Sequence, residues 1–481
     1  MSKAITVKDY PLYVAGKAVS TGQWLDVDDK YQQSTYARVA LADATTLETA
    51  IQSALEAEAD MAKLEPYQKQ SILLHCVKRF NEMRDELTEI LIAEGGKPRK
   101  AAAAEVERLI NTFQIAADAV SQLDDGRMLP LAVTAAASGY KGIVKHVPIG
   151  AVSLISPFNF PLNLTAHKIA PAIAAGCPFV LKPASLTPIS ALKIAEVLAE
   201  TDLPKKAFSV LPCPRDLADV LVTDDRFKLL SFTGSDLVGW DLKARAGRKK
   251  VTLELGGNAA VMIEPDTEVD EALINRLIGG AYNHAGQVCI SVQRILIHQD
   301  IYQKVRDALV IKLKGLKAAD PNLNSTMVGP MIKKDEAKRL KQWLDKAVNN
   351  GATVLSGGEL DGVMFEPTLL ENVDPSLEVY KDEVFGPLAL LEAYPDFAAG
   401  IARINESRFG LQAGIYTQNL NKMMYAWDHL KVGGVIINDI PSFRVDNMPY
   451  GGVKDSGLGR EGIQSAIRDM QEERLLVIKT V

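Results

Sequence analysis

The chain has 481 residues, 47% of them hydrophobic and 24% charged, and a net charge of −6 at pH 7. That length accommodates two or three folding units, since domains run about 100–200 residues each. The composition excludes a collagen-like, low-complexity or disordered chain, and the mild acidity excludes a global attraction for nucleic acid or an anionic membrane.

At the N-terminus, Asp9, Tyr10 and Pro11 stand where a secretory leader needs its apolar stretch, so none is expected. A strand-rich opening gives way to helices. Thr45-Thr46-Leu47-Glu48 has capping-box spacing and predicts a helix with Leu47, Ile51, Leu55 and Met61 on roughly one face. A second amphipathic pattern runs from Pro66 to Glu94 and stops at Gly95-Gly96-Lys97-Pro98; a third covers Ala101 to Leu123. Residues 128–148 then turn β-like, punctuated by Gly139 and Gly142.

From Gly150 short apolar runs alternate with helices. The strands predicted here are 151–155, 178–181, 208–211, 228–232 and 251–255, and Thr187-Pro188 predicts an N-cap followed by Pro at the first helical position. Such alternation argues for a parallel sheet of doubly wound α/β type, and its resumption after Gly257 predicts a second α/β domain. The most apolar run, 169–181, is too short for a membrane span and holds Pro171 and Pro178. Four scattered cysteines (76, 177, 213 and 289) without a CxxC pair fit neither a disulfide framework nor a zinc ribbon, and point to a reducing cytoplasm.

Gly457-Leu458-Gly459-Arg460-Glu461-Gly462 matches GxGxxG, but it follows a turn instead of a strand, and its acidic partner would fall at or beyond the last residue. A structural glycine loop is expected. Phe232-Thr233-Gly234-Ser235 follows an apolar strand and opens a helix, so it is either a pyrophosphate-facing helix start or an ordinary N-cap. Glu254-Leu255-Gly256-Gly257 ends a strand with a carboxylate beside two glycines, and Ser156-Pro157-Phe158-Asn159-Phe160-Pro161 ends another with an amide between aromatics. Cys289 follows a glycine-containing stretch; a lone cysteine is far more often inert packing than a nucleophile.

Taken in order, PFNFP (157–161), KPAS (182–185), FTGS (232–235), ELGG (254–257), GQVC (286–289), EVFGP (383–387) and PYGGVKDSG (449–457) resemble the aldehyde dehydrogenase superfamily over essentially the whole chain. Phe158 departs mildly, standing where many relatives have Trp. The resemblance implies a Rossmann-type cofactor domain (1–127 and 149–257), a second α/β catalytic domain (258–435), and a small β oligomerisation element (128–148 and 463–481). Residues 436–462 would form a returning segment and substrate-tunnel loop, and the chain would assemble as a homo-dimer or tetramer.

By the same resemblance, Cys289 attacks the aldehyde to give a thiohemiacetal, and Asn159 with the Cys289 N–H holds the oxyanion. Glu254 then activates water to hydrolyse the thioester. NAD(P) would rest on Ser156, Pro157, Phe158, Lys182, Ser185, Phe232, Gly234, Ser235, Glu383 and Phe385, Lys182 meeting the adenosine ribose and Glu383 and Phe385 the nicotinamide ribose. Many NAD-preferring relatives carry Glu at the position of Ser185; its absence removes a repulsion toward a 2′-phosphate, so NADP acceptance is expected. His284 is expected to pack or hydrogen-bond, and no HxxxH pair offers a metal site.

Arg108, Phe160 and Arg444 fall where relatives such as lactaldehyde, phosphonoacetaldehyde and non-phosphorylating glyceraldehyde-3-phosphate dehydrogenases line the substrate tunnel. Two guanidinium groups suit a short hydroxylated or anionic aldehyde of lactaldehyde, glyceraldehyde 3-phosphate or succinate semialdehyde type. Phe160 leaves little room for a further polar contact, which weakens the match to the phosphonate group. The alternative pairs Arg108 with Glu105 or Glu107 and Arg444 with Asp446, leaving a broad aliphatic or aromatic specificity. A coenzyme A-acylating enzyme is opposed by Glu254, and a catalytically silent member by the joint presence of Cys289, Glu254 and Asn159.

Overall fold

A computed structural model describes residues 7–122 and 126–480. Strands Val152–Ile155, Phe179–Lys182, Phe208–Val210, Leu229–Thr233 and Lys250–Glu254 run parallel at the centre of an eight-stranded sheet. They are short and apolar because helices cover both faces. One such helix, Asn163–Ala175, is buried along its whole length. Val152–Ile155 lies between Phe179–Lys182 and Leu229–Thr233, so the winding reverses beside it. Doubly wound sheets open a crevice at the carboxyl ends of the strands at such a reversal.

The sheet edges are antiparallel. The hairpin Leu12–Val14 and Lys17–Val19 closes one side, and Gly457–Leu458 pairs with Leu253 and Glu254 on the other. The GxGxxG segment is therefore structural, as expected, but its first two residues form a short strand that backs Glu254 where a loop was expected.

A seven-stranded sheet spans Thr353–Ser356 to Gly434–Ile437 in space, with Ala260–Ile263 and Arg294–His298 paired near its centre. It has its own hydrophobic core, separate from that of the first sheet. A third, three-stranded antiparallel sheet joins Arg127–Pro130, Tyr140–Pro148 and Gln471–Lys479. Leu475 to Ile478 remain 42–55% exposed on it. Among the described residues, no helix is long and apolar enough to cross a membrane.

Three local expectations are corrected. The first helix spans Ala44–Ala62 and is capped by Asp43, whose carboxylate accepts from Thr46 N, so the capping box at Thr45 is not used. Asp is a stronger cap than Thr and sits two residues earlier. The run from Pro66 to Glu94 is two helices, Pro66–Glu82 and Arg84–Gly95, broken at Met83 (φ −100°, ψ 12°). The apolar spacing continues across the break because both helices face one core, so periodicity conceals it. Thr187 does not cap the helix Ile189–Ala199; the Glu94 carboxylate accepts from Ile189 N (2.8 Å) and Ser190 N (2.9 Å) instead. The third helix spans Arg99–Val120, and Leu123 lies outside the described residues.

Candidate active site

The crevice at the winding reversal is a cavity of about 830 Å³, in the range of ligand sites. Its walls include Ser156, Pro157, Phe158, Phe232, Gly234, Ser235, Glu383 and Phe385, together with Asn159, Glu254 and Cys289. Residues drawn from distant motifs thus meet because parallel strands deliver their carboxyl ends to one place. Ser235 caps the helix Asp236–Arg245 from extended backbone, and its own side chain makes no capping bond. Asp236 and Leu237 of the first turn also line the cavity, and no side chain among the described residues caps their N–H groups, as a pyrophosphate site requires. Gly256 and Gly257 are demanded by close approach: a Cβ on Gly256 would strike the Glu383 carboxylate, and one on Gly257 the Cys289 carbonyl. Glu383 accepts from Gly257 N at 2.9 Å, and burial raises its carboxyl to about 8. Phe158 and Phe385 meet edge to face, with ring centroids 5.7 Å apart. Ala184 of the KPAS motif lines the cavity, while Lys182 and Ser185 lie outside the lining and Lys182 Nζ donates to Pro183 O at 3.1 Å.

Cys289 follows a strained turn in which His284 (φ 51°) and Ala285 (φ 53°) both take left-handed backbone. No hydrogen bond among the described residues occupies its backbone N–H. Asn159, 5% exposed, donates from Nδ2 to Gln287 O (3.0 Å) and accepts at Oδ1 from Phe160 N (3.1 Å), which fixes its amide plane and leaves one Nδ2 hydrogen free. Burial pushes the Cys289 thiol up to about 12.

Glu254 is 4% exposed, and neither carboxylate oxygen has a partner among the described residues. Burial, then the neighbouring Glu461, raises its carboxyl well above the usual range against the pull of Arg444, Lys168 and Arg460. Burial would raise Glu461 too, but Arg444, His167, Lys168 and Arg108 outweigh it and keep it ionised. Glu254 also faces a second, water-sized cavity of about 10 Å³ shared with Lys168, Ser231 and Glu461.

The arginines do not pair as the sequence suggested. Glu107 meets Arg84 and Glu105 meets Lys97, while Arg108 donates to Asp446 at 2.6 and 3.3 Å. Asp446 also takes Asn163 Nδ2 (3.1 Å) and His167 Nε2 (2.9 Å), and this set holds its carboxyl far below the usual range against burial. Arg444 faces Glu461 at 3.6 Å instead of Asp446, its side chain is 7% exposed, and Nε and Nη2 have no hydrogen-bond partner among the described residues. Phe160 is not part of the cavity lining and lies under Lys97 (3.8 Å) and Arg108 (5.8 Å). His284 packs edge to face on Phe160, and neither ring nitrogen has a partner among the described residues; of its two expected roles, the structure keeps packing.

Four participants escaped the sequence reading. Lys97, 1% exposed, donates to Asn159 O (2.7 Å) and pairs with Glu105, which accepts from Leu162 N and Asn163 N. Lys168 donates to Ser231 Oγ at 2.8 Å beside Glu254. Tyr450 places its hydroxyl 3.0 Å from the Cys289 sulfur. An ionisable residue inside an apolar helix (Lys168) and a phenol inside a glycine turn (Tyr450) were the signals available.

A model of the aldehyde dehydrogenase family matches residues 17–476. A 3-sulfolactaldehyde dehydrogenase from Priestia aryabhattai is 38% identical over 479 residues, 99% of this chain and 100% of that protein. The crystal structure of aldehyde dehydrogenase 21 from Physcomitrella patens, in complex with the reaction product succinate, superposes with a TM-score of 0.98 at 45% identity, covering 99% of both chains. That of a glyceraldehyde-3-phosphate dehydrogenase from Methanocaldococcus jannaschii complexed with NADP gives 0.90 at 35% identity, covering 95% of this chain and 99% of that one. With the family's motifs gathered around one cavity, the chain belongs to the aldehyde dehydrogenase family, NAD(P)-dependent oxidoreductases that act on aldehydes.

Proposed function

We propose that this enzyme oxidises a short aldehyde with an anionic or hydroxylated tail to its carboxylic acid. Cys289 is the nucleophile: a sulfur lone pair forms the C–S bond while the carbonyl electrons move to oxygen. The free Nδ2 hydrogen of Asn159 and the Cys289 N–H receive that oxyanion. When bound, NAD(P) accepts the hydride that the substrate carbon gives up, leaving a thioester on Cys289. Glu254 takes a proton from water, the hydroxide adds to the thioester, and cleavage of the C–S bond returns the thiolate and the acid. Ser156, Pro157, Phe158, Phe232, Gly234, Ser235, Glu383 and Phe385 hold the cofactor in the cavity, with Lys182 and Ser185 at its outer end. The oxyanion sits in a buried site where fixed donors act at low dielectric, so no solvent has to reorganise.

The substrate class rests on the two orphaned donors of buried Arg444. A buried guanidinium without acceptors is costly, and a carboxylate, sulfonate or phosphate supplies two in one plane. Its central carbon lies 3.8 Å from the centroid of the Tyr450 ring, whose hydroxyl meets the nucleophile, so one phenol ring and one hydrogen bond span the gap and the tail is short. Arg108 already spends its charge on Asp446, which makes Arg444 the principal anion contact. Arg444→Ala is expected to lower kcat/KM for succinate semialdehyde or glyceraldehyde 3-phosphate about a hundredfold while changing that for propanal far less. Arg108→Ala is expected to have a smaller effect in the same direction. Equal losses for charged and neutral aldehydes would refute the assignment.

NADP is accepted alongside NAD because no carboxylate stands at Ser185. Ser185→Glu is expected to reduce the NADP-to-NAD specificity ratio about tenfold, read as kcat/KM for each cofactor. In this reading, residues 1–127 and 149–257 form the cofactor-binding domain, and 258–435 form the domain that carries the nucleophile. The three-stranded sheet, with its exposed Leu475 to Ile478, joins copies into a dimer or tetramer in the cytoplasm.

A further inference from the structure

Cys289 must be ionised to attack, yet its surroundings oppose ionisation. Burial raises the thiol, and the carboxyls of Glu383 and Glu254 push the same way; only Tyr450 and Arg444 act in the opposite sense. Tyr450 is 2% exposed and is anchored by a two-way backbone bridge to Glu461, at 2.8 and 2.5 Å. The bridge fixes the phenol oxygen 3.0 Å from Sγ, and the bond to that sulfur is its one side-chain hydrogen bond among the described residues. The Arg444 guanidinium carbon lies over the ring at 3.8 Å from its centroid, a cation on the π face of the phenol. A cation there draws density from the ring and strengthens the O–H as a donor.

We propose that Tyr450 donates its O–H to the Cys289 sulfur and, with Arg444 on its ring, sets the thiolate population of the enzyme before any substrate binds. Tyr450 touches the reacting atom and is in that sense catalytic; Arg444 acts through it and is a positioning residue. The phenol keeps its proton throughout. Its hydrogen bond is strongest to free thiolate and weakens once the sulfur lone pair enters the C–S bond, so it does not hold the sulfur back from attack. This gives Arg444 two kinds of work: its charge lies over the Tyr450 ring, and its Nε and Nη2 donors remain for the substrate anion. The proposal rests on Cys289 being the nucleophile.

The test is alkylation of the apoenzyme by iodoacetamide as a function of pH. Modification is located by peptide mass, and the thiolate is followed independently by its ultraviolet absorbance. Cys76, Cys177 and Cys213 are buried, so the reagent reports on Cys289. Tyr450→Phe removes one oxygen and keeps the ring; it is expected to raise the midpoint of the rate–pH profile by about one unit and slow alkylation below the midpoint about tenfold. Arg444→Gln is expected to move it the same way by less, and to add little in the Tyr450→Phe background. An unchanged or lowered midpoint in Tyr450→Phe, with alkylation still abolishing aldehyde oxidation, would overturn the proposal and leave the nucleophile standing. A shift in Tyr450→Phe with none in Arg444→Gln would overturn the part assigned to Arg444. Complete alkylation of Cys289 without loss of oxidation would overturn the nucleophile itself.

Discussion

Glu254→Gln is expected to convert the enzyme into one that reduces a single equivalent of cofactor per active site and then stalls. The amide fills the same volume but cannot take a proton from water, so hydride loss from the thiohemiacetal proceeds while the thioester persists. General-base assistance contributes about 10²–10⁴-fold, and the steady state should fall by that factor. Intact-protein mass should show the acyl group on Cys289, and hydroxylamine, which needs no base to cleave a thioester, should restore turnover. The pH dependence has a definite sign. Burial and Glu461 raise the Glu254 carboxyl, so its basic form grows as pH rises, and hydrolysis of the acyl-enzyme should accelerate with pH above the usual carboxylate range. In Glu254→Gln that slope should vanish. A variant that turns over at the wild-type rate, with no acyl-enzyme, would remove Glu254 from the mechanism.

Much of this was legible in the sequence, for a physical reason. Each motif that ends a strand is local in sequence, and parallel strands bring their ends together, so recognising FNFP, FTGS and ELGG on strand ends is nearly equivalent to placing them in one cleft. Side-chain partners over long separations were not legible. Arg108 meets Asp446, 338 residues away, although Glu105 and Glu107 flank it. Helix geometry explains the failure: residues two apart point to opposite faces, and here Glu105 turns inward to Lys97 while Glu107 turns out to Arg84, so neither is left for Arg108. Glu94 was likewise unreadable, because a carboxylate that caps a helix 95 residues away leaves no local pattern. Lys97 sits in a Gly-Gly-Lys-Pro stop signal that reads as a surface loop, yet it is among the largest fully buried side chains of the protein.

That buried lysine bears on the second large effect. Asn159→Ala is expected to lower kcat by about 10²–10³, the loss found when one oxyanion donor is removed from a preorganised site. The amide is held at three points: Nδ2 on Gln287 O, Oδ1 on Phe160 N, and the backbone carbonyl on Lys97 Nζ. Lys97 is itself held by Glu105, whose second oxygen binds Leu162 N at 2.9 Å and Asn163 N at 3.2 Å, so the loop is clamped from both ends. A donor fixed in this way need not reorganise as charge develops, which is the condition for a large transition-state effect. Alanine also leaves the Gln287 carbonyl without its partner in a buried position, at a cost of about 1–3 kcal/mol to stability, so thermal unfolding should be measured beside kcat. The two effects separate cleanly. Asn159 makes no hydrogen bond to the free thiol among the described residues, so iodoacetamide should alkylate Cys289 of Asn159→Ala within about twofold of the wild-type rate, while aldehyde oxidation drops by the full factor. A loss of kcat below about tenfold would assign the oxyanion to the Cys289 N–H alone, and a matching loss of thiol reactivity would mean that Asn159 shapes the nucleophile and does not receive the charge.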